Sequence, residues 1–237
     1  MSSGVAVVTG GAGGIGRAVL ARLQRDGFTP VSWDLTQARD VALTLSVDVT
    51  DSDALAAATA ETQRRAGPIR ALVVNAGILG PIAPVWEVTP EQVRRVLEVN
   101  LVAAFLTLGA VVPAMLGNDG PDRGRIVLMA SVQGKEGTAL AGPYAASKAG
   151  LIALAKTAGK ELATSGILVN AVTPTVVRTA METSLSPARR ADLLARIPMG
   201  RFIDPAEVAA MVSWLCGPEC SFTTGAVFDL SGGRSPY

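Results

Sequence analysis

Tyr144 and Lys148, in Tyr144-Ala-Ala-Ser147-Lys148, stand four residues apart. That spacing puts a phenol and an ammonium on one face of a helix, within reach of one bound molecule. A tyrosine of ordinary pKa, about 10, is a poor acid–base catalyst near neutrality. A fixed positive charge nearby favours the phenolate, so the pair could exchange a proton with an alcohol or carbonyl oxygen. The chain has no histidine, which removes Ser-His-Asp, Cys-His and histidine–metal chemistry and leaves the tyrosine without a rival as base. Cys216 and Cys220 are the two cysteines, too few for a disulfide framework or a zinc site. They read as reduced thiols, and no metal is expected.

A glycine-rich turn strengthens the reading. Val5-Ala-Val-Val-Thr9-Gly10, followed by Gly14-Ile15-Gly16, runs strand, turn, helix. Gly10 would permit the tight turn, Gly14 the close approach of backbone to a pyrophosphate, and Gly16 close helix–strand packing. The N–H groups that open the helix would face the phosphates. Asp34 ends the second strand, 24 residues after Gly10. A carboxylate there accepts from the ribose 2′-OH of NAD and repels the 2′-phosphate of NADP. Residues 35 to 42 leave space for a turn or a stub of helix before the third strand, with little surface to hold that phosphate. Arg39 keeps NADP open; NAD is favoured.

The elements that must position these groups alternate as βαβ units do. Strands are expected at Val5–Val8, Pro30–Trp33, Leu43–Val47, Ala71–Val74, Arg125–Ala130, Leu168–Val172 and Ala226–Leu230. Helices are expected at Gly14–Asp26, Ser52–Ala66, Pro90–Leu116, Tyr144–Thr164 and Pro205–Leu215. Thr89-Pro90 and Asp204-Pro205 read as N-caps followed by proline at the first helical position. The strands are nearly continuous in Val, Ile, Leu and Ala, as in a parallel sheet covered on both faces. The 237 residues, 49% of them hydrophobic, fit a single α/β domain: a Rossmann-type doubly wound parallel sheet of about seven strands. The more polar stretch 180–199 follows a strand end and is expected to form a substrate lid, the alternative being an exposed helix pair. Charge nearly balances, with 21 basic and 20 acidic residues, which speaks against a nucleic-acid partner. The uncharged run Val99 to Asn118 is long enough to span a membrane, but it carries Asn100, Gly109 and Pro113 and no basic or aromatic anchors, so a buried helix is expected. Met1-Ser2-Ser3-Gly4 lacks the basic start of a signal peptide, and a cytoplasmic location is expected.

With these residues assembled, the chain resembles the short-chain dehydrogenase/reductase family nearly end to end. The glycine motif matches Thr9, Gly10, Gly14 and Gly16; Asp48-Val49 matches the adenine-contacting aspartate; Asn75-Ala76-Gly77 matches the Asn-Ala-Gly motif. Asn100, Ser131, Tyr144 and Lys148 match the catalytic tetrad, and Asn170, Pro174, Val177 and Thr179 fall in the segment after the sixth strand. The resemblance implies that Tyr144 exchanges a proton with the substrate oxygen. It implies also that Lys148 holds the nicotinamide ribose and lowers the tyrosine pKa, that Ser131 hydrogen-bonds the substrate, and that Asn100 positions a water relaying protons to Lys148. Three positions depart from the family pattern: Val74 before Asn75, Thr175 after Pro174, and Ser231 in Ser231-Gly-Gly.

Ser131-Val-Gln133-Gly-Lys135-Glu136-Gly137 and the ending from Ser221 through Gly225 to Arg234 resemble the branch that oxidises 2-keto-3-deoxy sugar acids of the rhamnonate and fuconate type. An acid substrate suits a cation at the site, and Arg178, Arg234 and Lys135 are candidates, with Gln133 beside Ser131. The alternatives are a 3-oxoacyl-thioester (acyl carrier protein) reductase using NADPH, which Asp34 disfavours, and a catalytically idle member that senses nucleotide. The resemblance further implies a homotetramer in which the 90–116 and 144–164 helices pair across a two-fold axis.

Overall fold

The computed structural model describes residues 4–39, 41–179 and 186–235. Seven strands form one parallel sheet in the order β3-β2-β1-β4-β5-β6-β7. They are β1 (Val5–Thr9), β2 (Thr29–Asp34), β3 (Leu43–Ser46), β4 (Ile69–Val74), β5 (Gly124–Met129), β6 (Ile167–Pro174) and β7 (Val227–Leu230). The order reverses between β1 and β4, the switch point beside which such sheets open a crevice at the strands' carboxyl ends.

Period-two alternation sends successive side chains of each strand to opposite faces, and both faces are covered. Val5 and Val7 of β1 join one core with Leu72 and Val74, while Ala6 and Val8 join the other with Val73. Helices α1 (Gly14–Arg25) and α8 (Pro205–Cys216) supply Val19, Leu20, Leu23, Val208 and Val212 to the second core. Helices α2 (Ser52–Ala66), α4 (Ala103–Leu116) and α6 (Gly142–Glu161) cover the first through Leu55, Leu108, Val111 and Leu151. This double burial is why the strands lack a polar alternation.

Local signals hold where they were strongest. Thr89 caps α3 (Pro90–Leu97): its hydroxyl accepts from Gln92 N–H, and the Gln92 side chain accepts from Thr89 N–H. Asp204 precedes α8 in the same manner, with the Glu207 carboxylate accepting its N–H at 2.9 Å. The expected 90–116 helix is interrupted. Residues Glu98–Val102 form a π-helical turn between α3 and α4, a feature frequent at functional sites, and Asn100 lies at its centre. By length and composition this helix could cross a membrane, yet its inner face is built into the core, while Val102, Phe105 and Leu116 are left exposed.

Helix α6 starts at Gly142, two residues before Tyr144, with Pro143 in its first turn. Two further helices are α5 (Gln133–Glu136), too short to show a period in the sequence, and α7 (Pro187–Ala195), capped by Ser186. Helix α7 lies within the expected lid, of which residues 180–185 fall outside the described part. Cys216 and Cys220 are both buried free thiols, and burial pushes the Cys216 thiol up to about 12.

Candidate active site

The turn after β1 is fixed by contacts that exclude side chains. Gly10 has φ +65° and donates its N–H to the Trp33 carbonyl at 2.8 Å. A Cβ on Gly16 would lie 2.2 Å from the Gly10 carbonyl oxygen, so helix and turn touch directly. The first turn of α1, from Gly14 through half-buried Ile15, contains no acidic residue, and Gly13 before it makes no side-chain cap bond. Those opening N–H groups are therefore available to an anion. Thr179 lies over this end, with its Cγ2 2.8 Å from where a Gly14 Cβ would be.

Asp34, at the end of β2, turns its carboxylate back to the loop. Oδ2 accepts from Ala12 N–H at 3.0 Å and Oδ1 from Thr36 N–H at 2.9 Å. Asp48 Oδ1 accepts from the Thr50 hydroxyl at 2.7 Å and from Thr50 N–H at 2.9 Å; the hydroxyl bond is the main reason its carboxyl lies below the usual range. Val49 beside it is buried. Asn75 donates from Nδ2 to the Thr9 and Gly10 carbonyls at 3.0 and 3.1 Å. The Thr9 hydroxyl in turn accepts from Asn75 N–H and Ala76 N–H. Asn75 thus fastens the glycine turn to the end of β4. This uncapped helix start, with the Asp34 carboxylate held at its loop and glycines behind it, fits a dinucleotide.

The four residues expected to act together lie together. Ser131 is buried after β5, and its Oγ accepts from Gln133 N–H at 3.2 Å, which leaves its own O–H to donate. It is hydrogen-bonded to half-buried Tyr144. The Lys148 ammonium stands 5.5 Å from the Tyr144 ring centre and donates to the Met129 carbonyl at 2.7 Å. A Cβ on Gly77 would lie 3.0 Å from Asn100 Oδ1 and 3.5 Å from Lys148 Nζ, so glycine there makes room for both.

One expectation changes. Burial pushes the Tyr144 phenol above its ordinary value, with the Ser131 hydrogen bond pulling only partly the other way. Burial also brings the Lys148 ammonium down to about 8. The depressed tyrosine expected from a lysine one helical turn away does not hold here, because desolvation disfavours charge on both groups. The Asn100 side chain is engaged by protein groups on three sides. Its carboxamide accepts from Ile78 N–H at 2.8 Å and donates to the Ile78 carbonyl at 2.9 Å and to Ser147 Oγ at 3.0 Å. The Ser147 hydroxyl donates to the Tyr144 carbonyl at 2.7 Å. The side chain is committed to joining the π turn, the loop after β4 and α6. Ser147 and the Met129 carbonyl were not singled out from sequence: the serine sits inside the quoted pentapeptide, and a backbone carbonyl leaves no sequence signal.

The cations expected near the substrate all have acidic partners. Arg234 pairs with Glu136 at 2.7 Å, Lys135 with Asp229 at 3.2 Å, and Arg178 with Asp204 at 3.4 Å. The Arg178 pair is the longest and is about half exposed. Gln133 follows Ser131 at the start of α5, and its Oε1 is buried without a hydrogen bond. Pro174 ends β6, and its carbonyl accepts from Val132 N–H at 3.1 Å, so the cofactor and catalytic segments are directly joined. Val177 is buried and bridges to Ile203.

Comparison with known proteins agrees with this arrangement. A family model described as Enoyl-(Acyl carrier protein) reductase matches residues 10–235. The chain is 42% identical over 240 residues to the 2-dehydro-3-deoxy-L-rhamnonate dehydrogenase (NAD(+)) of Sphingomonas sp. (strain SKA58), covering 98% of this chain and 95% of that protein. The chain belongs to the short-chain dehydrogenase/reductase family. As a short-chain dehydrogenase/reductase it is an oxidoreductase, and its relatives vary in activity. It is 36% identical over 228 residues to the 3-oxoacyl-[acyl-carrier-protein] reductase MabA of Mycobacterium tuberculosis (strain ATCC 25618 / H37Rv), covering 96% and 91%. The crystal structure of levodione reductase superposes with a TM-score of 0.91 at 29% identity, covering 99% of this chain and 98% of that one. Family membership thus fixes the reaction class without naming the alcohol.

Proposed function

We propose that the protein is an NAD-dependent dehydrogenase that oxidises the secondary alcohol of a 2-keto-3-deoxy sugar acid, with Tyr144 as general base. The observation that carries this is the meeting of Ser131, Tyr144 and Lys148 beside a glycine turn whose neighbouring strand ends in Asp34. Asp34 presents negative charge where NADP carries its extra phosphate. The similar Sphingomonas protein, named as an NAD(+) enzyme acting on a sugar acid, supports both cofactor and substrate.

Gly10, Gly14, Ile15 and Gly16 would hold the pyrophosphate, Asp34 the adenosine ribose, and Asp48 with Val49 the adenine. Asn75, Ala76, Gly77, Pro174, Val177 and Thr179 would border the rest of the dinucleotide, with Tyr144 and Lys148 at its nicotinamide end. When bound, NAD supplies the hydride acceptor. The Ser131 hydroxyl donates to the substrate oxygen and orients it, and Tyr144 Oη takes the proton from that oxygen. Lys148 Nζ is a positive charge beside the ring and stabilises the phenolate during that transfer. Asn100 is a positioning residue that keeps the Ile78 loop and α6 in register. Arg178, through its longer and more exposed ion pair, is the residue best able to meet the substrate carboxylate. The 180–199 segment acts as the lid. Exposed Val102, Phe105 and Leu116 at α4, with exposed Ala146, Ala149 and Ala153 on α6, support a homotetramer, and the enzyme is placed in the cytoplasm.

The test is NADH formation with a panel of 2-keto-3-deoxy sugar acids, simple hydroxy acids and 3-hydroxyacyl thioesters, each with NAD and with NADP. Turnover confined to the sugar acids with NAD is expected. Preferential use of NADPH on 3-oxoacyl thioesters would favour the acyl-reductase reading, and tight NAD binding with no turnover would favour the idle sensor.

A further inference from the structure

Gly134-Lys135-Glu136-Gly137 and the chain end Asp229 to Arg234 are distant in sequence, and the fold brings them into contact. Lys135 Nζ donates to Asp229 Oδ1 at 3.2 Å and to the Ser235 carbonyl. Arg234 donates from Nε and Nη2 to Glu136 Oε2 at 3.0 and 2.7 Å. The cations of both pairs are nearly buried, with side chains 10% exposed for Lys135 and 7% for Arg234. At that depth a charge without its partner is costly.

Each side of this contact leads to the site. On one side, Gln133 N–H in α5 donates to Ser131 Oγ at 3.2 Å. Gly134 lies so close to α6 that a Cβ would stand 2.6 Å from the Lys148 carbonyl carbon. On the other side, Asp229 Oδ2 shapes the chain end by accepting from the Ser231 hydroxyl at 2.6 Å and its N–H at 3.2 Å. Ser231 Oγ then accepts from Ser235 N–H at 3.0 Å. An aspartate at 231 in this chain would set carboxylate against carboxylate. The same turn holds the segment after α7: Gly232 accepts from Met199 N–H at 3.1 Å, and Gly233 packs on Pro198.

We propose that the pairs Lys135–Asp229 and Glu136–Arg234 form one clamp that positions the Ser131 turn and ties it to residues 197–199. The four are positioning residues, and Lys135 and Arg234 act on α5 and the chain end rather than on the substrate. Only the kinetic arm of the test relies on the proposed reaction.

The experiment compares Glu136→Gln, Arg234→Gln and the exchanged pair Glu136→Arg with Arg234→Glu in the full chain. Three quantities are measured: kcat/KM, NADH affinity by fluorescence, and amide hydrogen exchange. Each single change is expected to lower kcat/KM by about tenfold or more, since small misplacement of reacting groups has effects of that order. NADH affinity should be unchanged, and exchange should quicken at both 131–137 and 197–200. The exchanged pair should recover most of both losses. If Arg234→Gln abolishes turnover while Glu136→Gln keeps it, Arg234 touches substrate and the clamp is overturned. Unaltered exchange at 197–200 in Glu136→Gln overturns it as well. Should the Glu136 variants fail to fold, the near-isosteric Asp229→Asn must show the same two-site exchange, and its absence is equally decisive. If the wild type turns over no sugar acid, the substrate reading fails while the exchange measurements still decide the clamp.

Discussion

Replacing Lys148 with methionine should make the folded protein more stable near neutrality while abolishing its activity. The ammonium is buried, and its pKa falls from an ordinary 10.5 to about 8, which corresponds to roughly 3 kcal/mol of destabilisation at pH 7. Methionine, of similar length and without charge, removes that cost. It also removes the 2.7 Å hydrogen bond to the Met129 carbonyl, a loss of about 1 kcal/mol. The net gain is about 2 kcal/mol, or some 4–8 °C in Tm for a domain of this size. The sign of the pH dependence is specific. Between pH 8 and 10.5 the unfolded lysine keeps its proton while the folded one loses it, so the wild type gains stability as pH rises. The gap between the two proteins should therefore be widest below pH 8, close near pH 10, and reverse by about 1 kcal/mol well above pH 10.5, where only the lost hydrogen bond is left. Urea unfolding of both at matched protein concentration, at pH 7 and pH 10, measures it. A methionine variant that is less stable at pH 7, or a gap that does not change with pH, would refute the reasoning.

Asp34→Ala should weaken NAD binding by about tenfold, the effect of losing roughly 1.4 kcal/mol, and narrow the gap to NADP; because Asp34 Oδ2 also holds Ala12 N–H, NADP binding should not improve fully. Fluorescence titration with both reduced nucleotides checks this, and an unaltered NAD preference would contradict it. Asn100→Ala orphans the Ile78 N–H and carbonyl and removes a donor from Ser147 Oγ, and should cost about 2–4 kcal/mol in urea unfolding; a cost below about 0.5 kcal/mol would show that the carboxamide bridges nothing of consequence. Because burial raises the Tyr144 pKa and the base form is the deprotonated phenol, alcohol oxidation should still be climbing from pH 7 to 9 while ketone reduction, which uses the protonated phenol, stays nearly level. An oxidation rate that peaks below pH 7 would count against the tyrosine as base.

The parts of the fold that rest on local chemistry were legible in the sequence. Continuous apolar strands announced a sheet buried on both faces, and Thr89-Pro90 and Asp204-Pro205 marked helix starts because a cap and a proline act within one turn. The glycine turn, Asp34 and the tetrad were readable because each needs one residue type at one place. What escaped was set by partners distant in the chain. The π turn at Asn100 depends on Ile78 and Ser147, 22 and 47 residues away, and no helical period reports it. The upward shift of Tyr144 depends on how deeply α6 is packed, which spacing to Lys148 does not encode. Lys135 and Arg234 looked like free cations because Asp229 and Glu136 stand nearly a hundred residues from them.

The central claim is that Tyr144 moves the proton in an NAD-dependent oxidation of a sugar acid. The most direct measurement sets wild type against Tyr144→Phe with NAD and 2-keto-3-deoxy-L-rhamnonate, following NADH formation alongside NADH binding. The account predicts a loss of turnover on the order of a thousandfold with nucleotide affinity unchanged. Turnover within about tenfold of wild type in the phenylalanine variant would show that the proton leaves by another group.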